Sequence, residues 1–568
     1  MREIYRRDVL KGSLAAALAP SFPKLAAAKS KRRFIDVHCH FFNAADLPIR
    51  GFLQRVVLAD YAATDSTQHA GASLSLTIWK GMVAKLTELI LRRQTPTAQQ
   101  ELACLRGASC QGFEVSAKSL SSSKRAKVNA GDLRGGISDV LQEHYRARQE
   151  KSLPSPEAAK NAADVDDFVD FVLREMKAKG AAAPGASSKS MKSLNLRSTA
   201  DSIAEFIASG RSFFSRYFAW AATLTDYREN IVKTYYSLYA KDNSRLILAT
   251  PALVDYNYWL EDQSPSALRD QVELMGQLSL KQPSPMHGFV AFDPLRAVRH
   301  KPEEEAPLDI VKDAVAKHGF LGVKLYSPMG FKPTDNAEHG LVFPAHAALS
   351  EPGFGAKLDH ALDELYSWCH DNEVPILAHS TQSQSAGPEF AARAEPKFWG
   401  KVLSAYPKLR LNLAHFGNFS QALATKGDAT KQFDKTWEHE VAVLIKGGKF
   451  PNVYADVSYF YWVLEGSGNK QDIKAVKKLF AKYFEADPKV ERLLFGTDWN
   501  MTGKAAGVAD YFDNVEAFFR DIGLKEKQLD NLFHKNALRF LGLDGDTAAG
   551  GRLRNFYQAA GKSYPHFV

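Results

Sequence analysis

The sequence predicts an α/β protein built on a (β/α)8 TIM barrel, with a large and mainly helical insertion after the first strand. Two observations predict this fold. Eight short apolar segments rich in β-branched residues recur along the chain, and helical patterns separate most of them. The chain of 568 residues also exceeds the roughly 250 residues of a typical barrel, so additional structure is expected.

The eight apolar segments are the predicted strands. They span residues 34–40, 246–254, 287–292, 321–326, 374–379, 409–415, 453–458 and 493–498. From the second segment onward their starts lie 34 to 53 residues apart, which suits a strand, a loop, a crossover helix and a return loop. Apolar residues spaced by three and four predict helices at 309–317, 357–369, 437–445 and 473–484.

The interval between the first two strands is too long for one crossover, because more than 200 residues separate them. We therefore assign residues 34–60 and 244–545 to the barrel, 61–243 to a helical insertion and 546–568 to a C-terminal tail. Within the insertion, amphipathic helices are expected at 74–93 and 218–239, and mobile segments at 116–127 and 177–192. Both a lid over the barrel mouth and a peripheral packing or oligomerisation domain remain open as roles for it.

Residues 1–28 resemble a twin-arginine export signal. Arg6 and Arg7 precede Val9, Leu10 and Lys11, a small apolar stretch follows, and three alanines at 26–28 offer a cleavage site. The resemblance implies the twin-arginine export machinery as a partner and a periplasmic or secreted protein that is exported after folding. The alternative is a basic helical arm that stays attached.

The four cysteines bear on whether the protein is exported to an oxidising compartment. In an oxidising compartment Cys104 and Cys110 could close a short loop as a disulfide, which the sequence leaves open. Cys39 and Cys369 have the surroundings of small buried hydrophobic residues.

Composition excludes several classes of function. The chain is 45% hydrophobic and 24% charged, and it lacks an uncharged apolar run of about eighteen residues, so we expect no integral membrane association. The formal net charge of +9 favours an anionic substrate slightly. The basic residues are scattered and lack interleaved aromatic residues, so no nucleic-acid partner is expected.

The first predicted strand carries the strongest chemical signal. Its sequence ends with His38, Cys39 and His40, and side chains alternate between the two faces of a strand. His38 and His40 therefore face the same way and can converge on one ion, for which neutral imidazole is a common ligand. Alone, this spacing is a weak signal.

Three further strand ends strengthen it. The fifth predicted strand ends on His379, the sixth on His415 and the eighth on Asp498. Because the carboxyl ends of barrel strands gather around one mouth, these side chains are expected to surround one site together with His38 and His40.

This pattern resembles the amidohydrolase superfamily. The terminal segment 531–542 is similar to the last helix of its amidohydrolase-2 branch, which includes aminocarboxymuconate semialdehyde decarboxylase. The resemblance covers residues 34–60 and about 244–545, and not the insertion. It implies a divalent metal, most suitably Zn²⁺, held by His38, His40, His379 and Asp498.

The resemblance also implies catalytic roles. Asp498 would exchange protons with the attacking water and the leaving group, and His415 would act as an acid, a base or an electrostatic group. Lys324, on the fourth strand, corresponds to a lysine whose carbamate bridges two metals in some members. One ion is favoured here, and Lys324 would then bind a substrate carboxylate or pair with an acidic neighbour. With carbamylation, His379 and His415 would hold a second ion.

Loop residues at the same end of the barrel could contact a substrate. Arg50, Lys332 and Trp499 are candidates for gripping an anionic or aromatic small molecule. Three functions remain open. The first is a hydrolase of an amide, ester or lactone bond in a small molecule. The second is a non-oxidative decarboxylase on the same metal site, and the third is an exported non-catalytic binding protein.

Overall fold

Parallel strands form the centre of the molecule. In the computed structural model, the described residues contain eight strands, in the order β1 Phe34–Cys39, β2 Leu246–Pro251, β3 Phe289–Ala291, β4 Gly322–Leu325, β5 Ile376–His379, β6 Leu411–Ala414, β7 Val453–Asp456 and β8 Leu493–Leu494. Each of the eight predicted segments contains one of them. The structure describes residues 32–57, 84–107 (except 86–87, 89–90 and 93–94), 224–240, 245–282, 284–344, 352–382, 386–387, 389–419, 423, 429–464, 470–502 and 510–567.

The strands pair in chain order around a barrel. β1 pairs with β2, and β3 to β8 form a parallel sheet in sequence order. Backbone hydrogen bonds join the two sheets at both edges. The Leu253 amide donates to the Phe289 carbonyl (2.9 Å), and the Val37 amide donates to the Phe495 carbonyl (3.1 Å). The predicted (β/α)8 barrel is therefore confirmed.

Helices separate consecutive strands along the chain. Among the described residues they are α1 Ile49–Phe52, α2 Ala98–Leu105, α3 Arg228–Tyr239, α4 Leu268–Ser279, α5 Pro294–Arg299, α6 Pro307–Lys317, α7 Phe354–Asp371, α8 Trp399–Ala405, α9 Trp437–Ile445, α10 Lys470–Tyr483, α11 Trp499–Thr502, α12 Tyr511–Ile522, α13 Glu526–Asp530, α14 Asn536–Leu541 and α15 Ala548–Ala559. The four helices predicted between strands correspond to α6, α7, α9 and α10. None of the helices that the structure describes has the length and apolar character to cross a bilayer.

The chain divides into two compact units. The barrel unit draws its described residues from Met1–Phe41, Glu229–Trp259 and Leu268–Val568, and the second unit from Phe42–Arg228 and Leu260–Ala267. Most of α3, which was expected inside the insertion, thus belongs to the barrel unit. The segments 1–28, 116–127 and 177–192, together with most of the helix expected at 74–93, lie outside the described residues.

A buried ion cluster organises the second unit. The Arg228 side chain is 1% exposed and donates to the carboxylates of Asp46 and Glu101, at 2.7 and 2.6 Å. Burial raises the pKa of Glu101 to about 7, against the opposing attraction of Arg228. Cys104, at the end of α2, is disulfide-bonded, whereas Cys39 and Cys369 are buried free thiols. Cys110, the expected partner of Cys104, lies outside the described residues.

The C-terminal segment packs against the apolar core of the barrel. Residues 546–568, expected as a tail, contain α15, whose Leu553 is buried in the same apolar cluster as Ile35 of β1 and Phe540 of α14. The Thr547 hydroxyl caps the helix by accepting from the Gly550 amide. This segment is therefore packed onto the barrel unit.

Candidate metal centre

Three donors from β1 and β8 lie together. His38, His40 and Asp498 each offer a ligand atom, and these atoms all lie within 4.8 Å of one another. The His40 Nε2 atom lies 3.5 Å from the Asp498 Oδ1 atom. The turn after β8 brings Asp498 back toward β1, where its amide donates to the His38 carbonyl at 2.6 Å. The predicted association of these three residues is what the structure shows.

The sixth and seventh strands supply a second group around His38. His38, His415 and Asp456 also offer ligand atoms within 4.8 Å of one another. The Ser458 hydroxyl lies between them, 2.9 Å from Nδ1 of His38, 2.9 Å from Nδ1 of His415 and 2.5 Å from Oδ1 of Asp456. Sequence reasoning missed Asp456 and Ser458, although Asp456 ends β7 just as the noted residues end or follow their strands.

The hydrogen bonds of Ser458 show which ring nitrogens of His38 and His415 carry a proton. A carboxylate only accepts, so the Ser458 hydroxyl donates to Asp456 and accepts from both Nδ1–H groups. His38 and His415 therefore present unprotonated Nε2 atoms. His40 reaches the same state differently, because its Nδ1 lies 2.7 Å from the Ala252 carbonyl and must donate to it. An unprotonated Nε2 atom on an oriented ring is what a metal ion requires.

His379 lies beside these groups and belongs to neither. Its ring centroid is 4.7 Å from that of His415 and 4.4 Å from that of Tyr326. Its Nε2 atom is buried and has no hydrogen-bond partner among the described residues. Buried polar atoms are rarely left without a partner, so this nitrogen is suited to bind a ligand that is not part of the protein chain.

Burial keeps all four histidines neutral. It lowers the pKa of His40 to about 3 and that of His415 to about 4, and it lowers the pKa of His38 and of His379 well below the usual range. The positive charge of Lys324 acts in the same direction on each ring. Neutral rings are the form that binds a cation.

Lys324 projects from β4 into this cluster. Its Nζ atom lies 3.2 Å from Nε2 of His38, and the residue is 3% exposed. Burial lowers its pKa to about 8, while the charges of Asp456 and Asp498 oppose that shift. The lysine is thus a cation held beside the predicted ligands.

Asp36 is a third residue that sequence reasoning missed. Its fully buried carboxylate accepts from the backbone amides of His38 (3.1 Å) and Thr497 (2.9 Å) and from the Thr497 hydroxyl (2.6 Å). The Tyr235 hydroxyl of α3 also donates to it at 2.7 Å. Burial raises its pKa to about 6. The carboxylate ties the end of β1 to the residue before Asp498.

The three predicted substrate-contacting residues lie in different surroundings from one another. Trp499 follows Asp498 directly, and its indole nitrogen is buried without a partner among the described residues. The Lys332 ammonium forms an ion pair with Glu338 and lies 5.1 Å from the centre of the Phe398 ring. Arg50 lies in α1 of the second unit.

Comparison with known proteins identifies the family of the chain. The family described as Amidohydrolase matches residues 261–543, which include β3 to β8 and Asp498. The chain belongs to the amidohydrolase superfamily, in its amidohydrolase-2 branch. This amidohydrolase is therefore a metal-dependent hydrolase with a small-molecule substrate, and the two donor groups around His38 are candidates for holding its divalent metal.

Three similar solved structures are distant from this chain in sequence. An amidohydrolase from Burkholderia multivorans with bound zinc is 14% identical, with 57% of this chain and 92% of that chain covered and a TM-score of 0.35. An amidohydrolase 2 from Bifidobacterium longum subsp. infantis is 17% identical (55% and 87% covered, TM-score 0.28). A dihydroorotase from Campylobacter jejuni is 14% identical (56% and 80% covered, TM-score 0.30). Among the curated proteins, none matches this amidohydrolase.

Proposed function

We propose that the chain hydrolyses an amide, ester or lactone bond of a small molecule with one Zn²⁺ ion held by His38, His40, His379 and Asp498. The observation that carries the proposal is the set of oriented donors. Three of these ligand atoms lie within 4.8 Å of one another, and the buried Nε2 of His379 has no partner among the described residues. Imidazole nitrogens with one carboxylate suit zinc.

The residues around this site have separate roles in the proposed reaction. When bound, the ion supplies Lewis acidity, which makes water a better nucleophile and polarises a carbonyl. Asp498 takes the proton from the attacking water at its carboxylate and returns it to the leaving group. His415 accepts hydrogen bonds at Nε2, because its ring proton is on Nδ1, which donates to the Ser458 hydroxyl. That bonding favours His415 as a base or an acceptor for the substrate.

Lys324 supplies the cation for a substrate carboxylate. It is buried, and no carboxylate oxygen of a described residue forms an ion pair with its ammonium. A substrate carboxylate would complete this pairing, which supports an anionic small molecule. The alternative, a carbamate on Lys324 bridging two ions, predicts two metals per chain and activity that falls when bicarbonate is removed. One metal per chain with activity indifferent to bicarbonate supports the proposal.

The decisive experiment compares His38→Ala with His360→Ala, a histidine of α7 whose side chain is 75% exposed. Wild type and H360A are expected to hold one zinc by elemental analysis and to hydrolyse p-nitrophenyl acetate or a simple lactone. H38A should lose both the metal and the turnover. Equal metal content in all three proteins would refute the assignment. Release of carbon dioxide from carboxylic acid substrates, without hydrolysis, would favour the decarboxylase alternative.

We further propose export of the folded protein to the periplasm or beyond, by the twin-arginine machinery. The disulfide at Cys104 supports this, because disulfides persist in oxidising compartments. Replacing both Arg6 and Arg7 by Lys should retain the full-length protein in the cytoplasm, as judged by cell fractionation. Unchanged export of that variant would contradict the proposal.

A further inference from the structure

The turn that carries His415 has an unusual backbone. After β6, residues His415–Phe419 form a single tight turn, in which His415, Phe416 and Phe419 have φ angles of 69°, 45° and 54° and Gly417 has 58°. For residues with a side chain, this left-handed conformation costs roughly 1 kcal/mol or more each. The turn therefore persists only because its surroundings hold it.

Aromatic packing holds part of the turn. Phe416 and Phe419 are buried, and the ring centroid of Phe416 lies 4.6 Å from that of Tyr483 in α10. Phe419 packs at 4.9 Å on Phe480 of the same helix. These contacts fix two side chains. They leave the amides inside the turn in need of acceptors.

Glu438 supplies one such acceptor from the first turn of α9. Its side chain is fully buried, and its Oε1 atom accepts from the Phe419 amide. The carboxyl group also fills the inside of the turn, since a Cβ atom on Gly417 would lie 2.5 Å from Oε1. Two further bonds complete the turn, from the His415 amide to Asp456 (3.0 Å) and from the Gly417 amide to the Ser380 carbonyl (3.0 Å).

Stability alone gives little reason for this carboxyl group. Its pKa is raised to about 7, chiefly by burial, and its main partners among the described residues are backbone amides, Thr436 and Glu440, none of them a cation. A buried acid without a cationic partner costs folding free energy. Its contacts with Gly417 and Phe419 point to a role in shaping the turn.

We propose that Glu438 is a positioning residue for His415. By bonding the Phe419 amide and filling the turn beside Gly417, it keeps the backbone left-handed. That backbone directs the His415 imidazole toward Ser458 and Asp456. The catalytic consequence rests on the proposed role of His415, whereas the structural part stands independently.

Three variants test the proposal. Glu438→Gln keeps an oxygen acceptor for the Phe419 amide, and Glu438→Ala removes it. Glu516→Ala is the matched control, because Glu516 is a buried carboxylate of α12 that pairs with Arg520 at 2.7 Å. Two readouts require no substrate. They are hydrogen exchange of the amides at 415–419 by mass spectrometry, and the rate at which diethyl pyrocarbonate modifies His415.

The expected pattern separates positioning from general stability. E438A should speed both exchange at 415–419 and modification of His415 by about tenfold, the equivalent of one lost hydrogen bond, with bound metal unchanged. Its turnover of p-nitrophenyl acetate should fall by about the same factor, with KM nearly constant. E438Q should resemble the wild type, and E516A should lower only the melting temperature.

Three outcomes would overturn the proposal: equal exchange at 415–419 in E438A and wild type, the same increase in E516A, or failure of E438Q to restore protection. The exchange and modification data could follow the expected pattern while neither the wild type nor any variant hydrolyses the ester. In that case the proposed function fails, and the positioning of His415 by Glu438 stands.

Discussion

At the scale of single residues, hydrogen bonds to ring nitrogens decide which atom each histidine offers. The Ser458 hydroxyl accepts from Nδ1 of His38 and of His415, and the Ala252 carbonyl accepts from Nδ1 of His40. Without these partners the rings could rotate or exchange tautomers. The orientation of the donors is therefore built by residues that need not touch the metal.

Asp456 is the residue on which this arrangement depends most. Although burial alone would raise it, the pKa of Asp456 is held below its usual range by His38, His415 and the Ser458 hydroxyl. We expect Asp456→Asn to weaken zinc binding by about 10- to 100-fold, because the amide cannot accept at both atoms and the ligand rings lose their orientation. Competition with a chromophoric zinc chelator measures this.

The control for that variant is Asp487→Asn. Asp487 is 5% exposed, and its two oxygens accept from the amides of Glu491 and Arg492. Its loss should destabilise the turn before β8 without changing zinc affinity beyond about twofold. If both variants weaken zinc binding equally, Asp456 has no specific role in orienting the ligands.

At the scale of secondary-structure elements, the strands could be predicted and several turns could not. Strands of a parallel barrel are buried on both faces, so they appear in the sequence as apolar segments. The left-handed turn at 415–419 has no such signal, because His and Phe seldom adopt positive φ and only distant contacts impose it. Asp456 does end a strand, as the predicted site residues do, but its contact with His38, more than 400 positions away, has no local signal in the sequence.

Long-range contacts also explain the differences in domain division. Residues 218–239 read as an insertion helix by periodicity, but Tyr235 of α3 donates to Asp36 of β1, which joins this helix to the barrel unit. At the C-terminus, α15 is tied to the barrel by His287. The Nδ1 atom of His287 lies 2.8 Å from the Gly319 carbonyl, and its Nε2 atom lies 2.9 Å from the Tyr557 hydroxyl.

The tie between α15 and the barrel should be sensitive to acid. Burial lowers the pKa of His287 to about 4, from 6.5 for an exposed histidine. Between these values the unfolded chain binds the proton and the folded chain does not. The free energy of unfolding therefore falls as the pH drops below 6.5, by roughly 3 kcal/mol at pH 4.

His287→Gln isolates this contribution, because glutamine keeps a donor and an acceptor but does not titrate. Urea denaturation of the metal-free proteins at pH 7 and pH 4.5 gives the comparison. We expect the wild type to lose about 2 kcal/mol more than H287Q between the two pH values. Equal losses would show that His287 is not the titrating group.

At the scale of the whole molecule, the proposed zinc site connects three separate parts of the barrel. His38 and His40 belong to β1 and the residue after it, His379 ends β5, and Asp498 follows β8. These elements are far apart in sequence, so the complete set of ligands exists only in the folded barrel. An ion that binds the folded state alone stabilises it by mass action.

Removing the metal should therefore destabilise the barrel unit as a whole. At free zinc about 100 times the dissociation constant, binding adds about 2.7 kcal/mol to the free energy of unfolding. A chelator should lower the melting temperature of the wild type by a few degrees, and added zinc should restore it. The buried, neutral rings would then face one another without an ion. His38→Ala cannot assemble the site, so its melting temperature should respond to neither treatment. A wild type that is equally indifferent would mean that these donors pack as a hydrogen-bonded core and not as a metal centre.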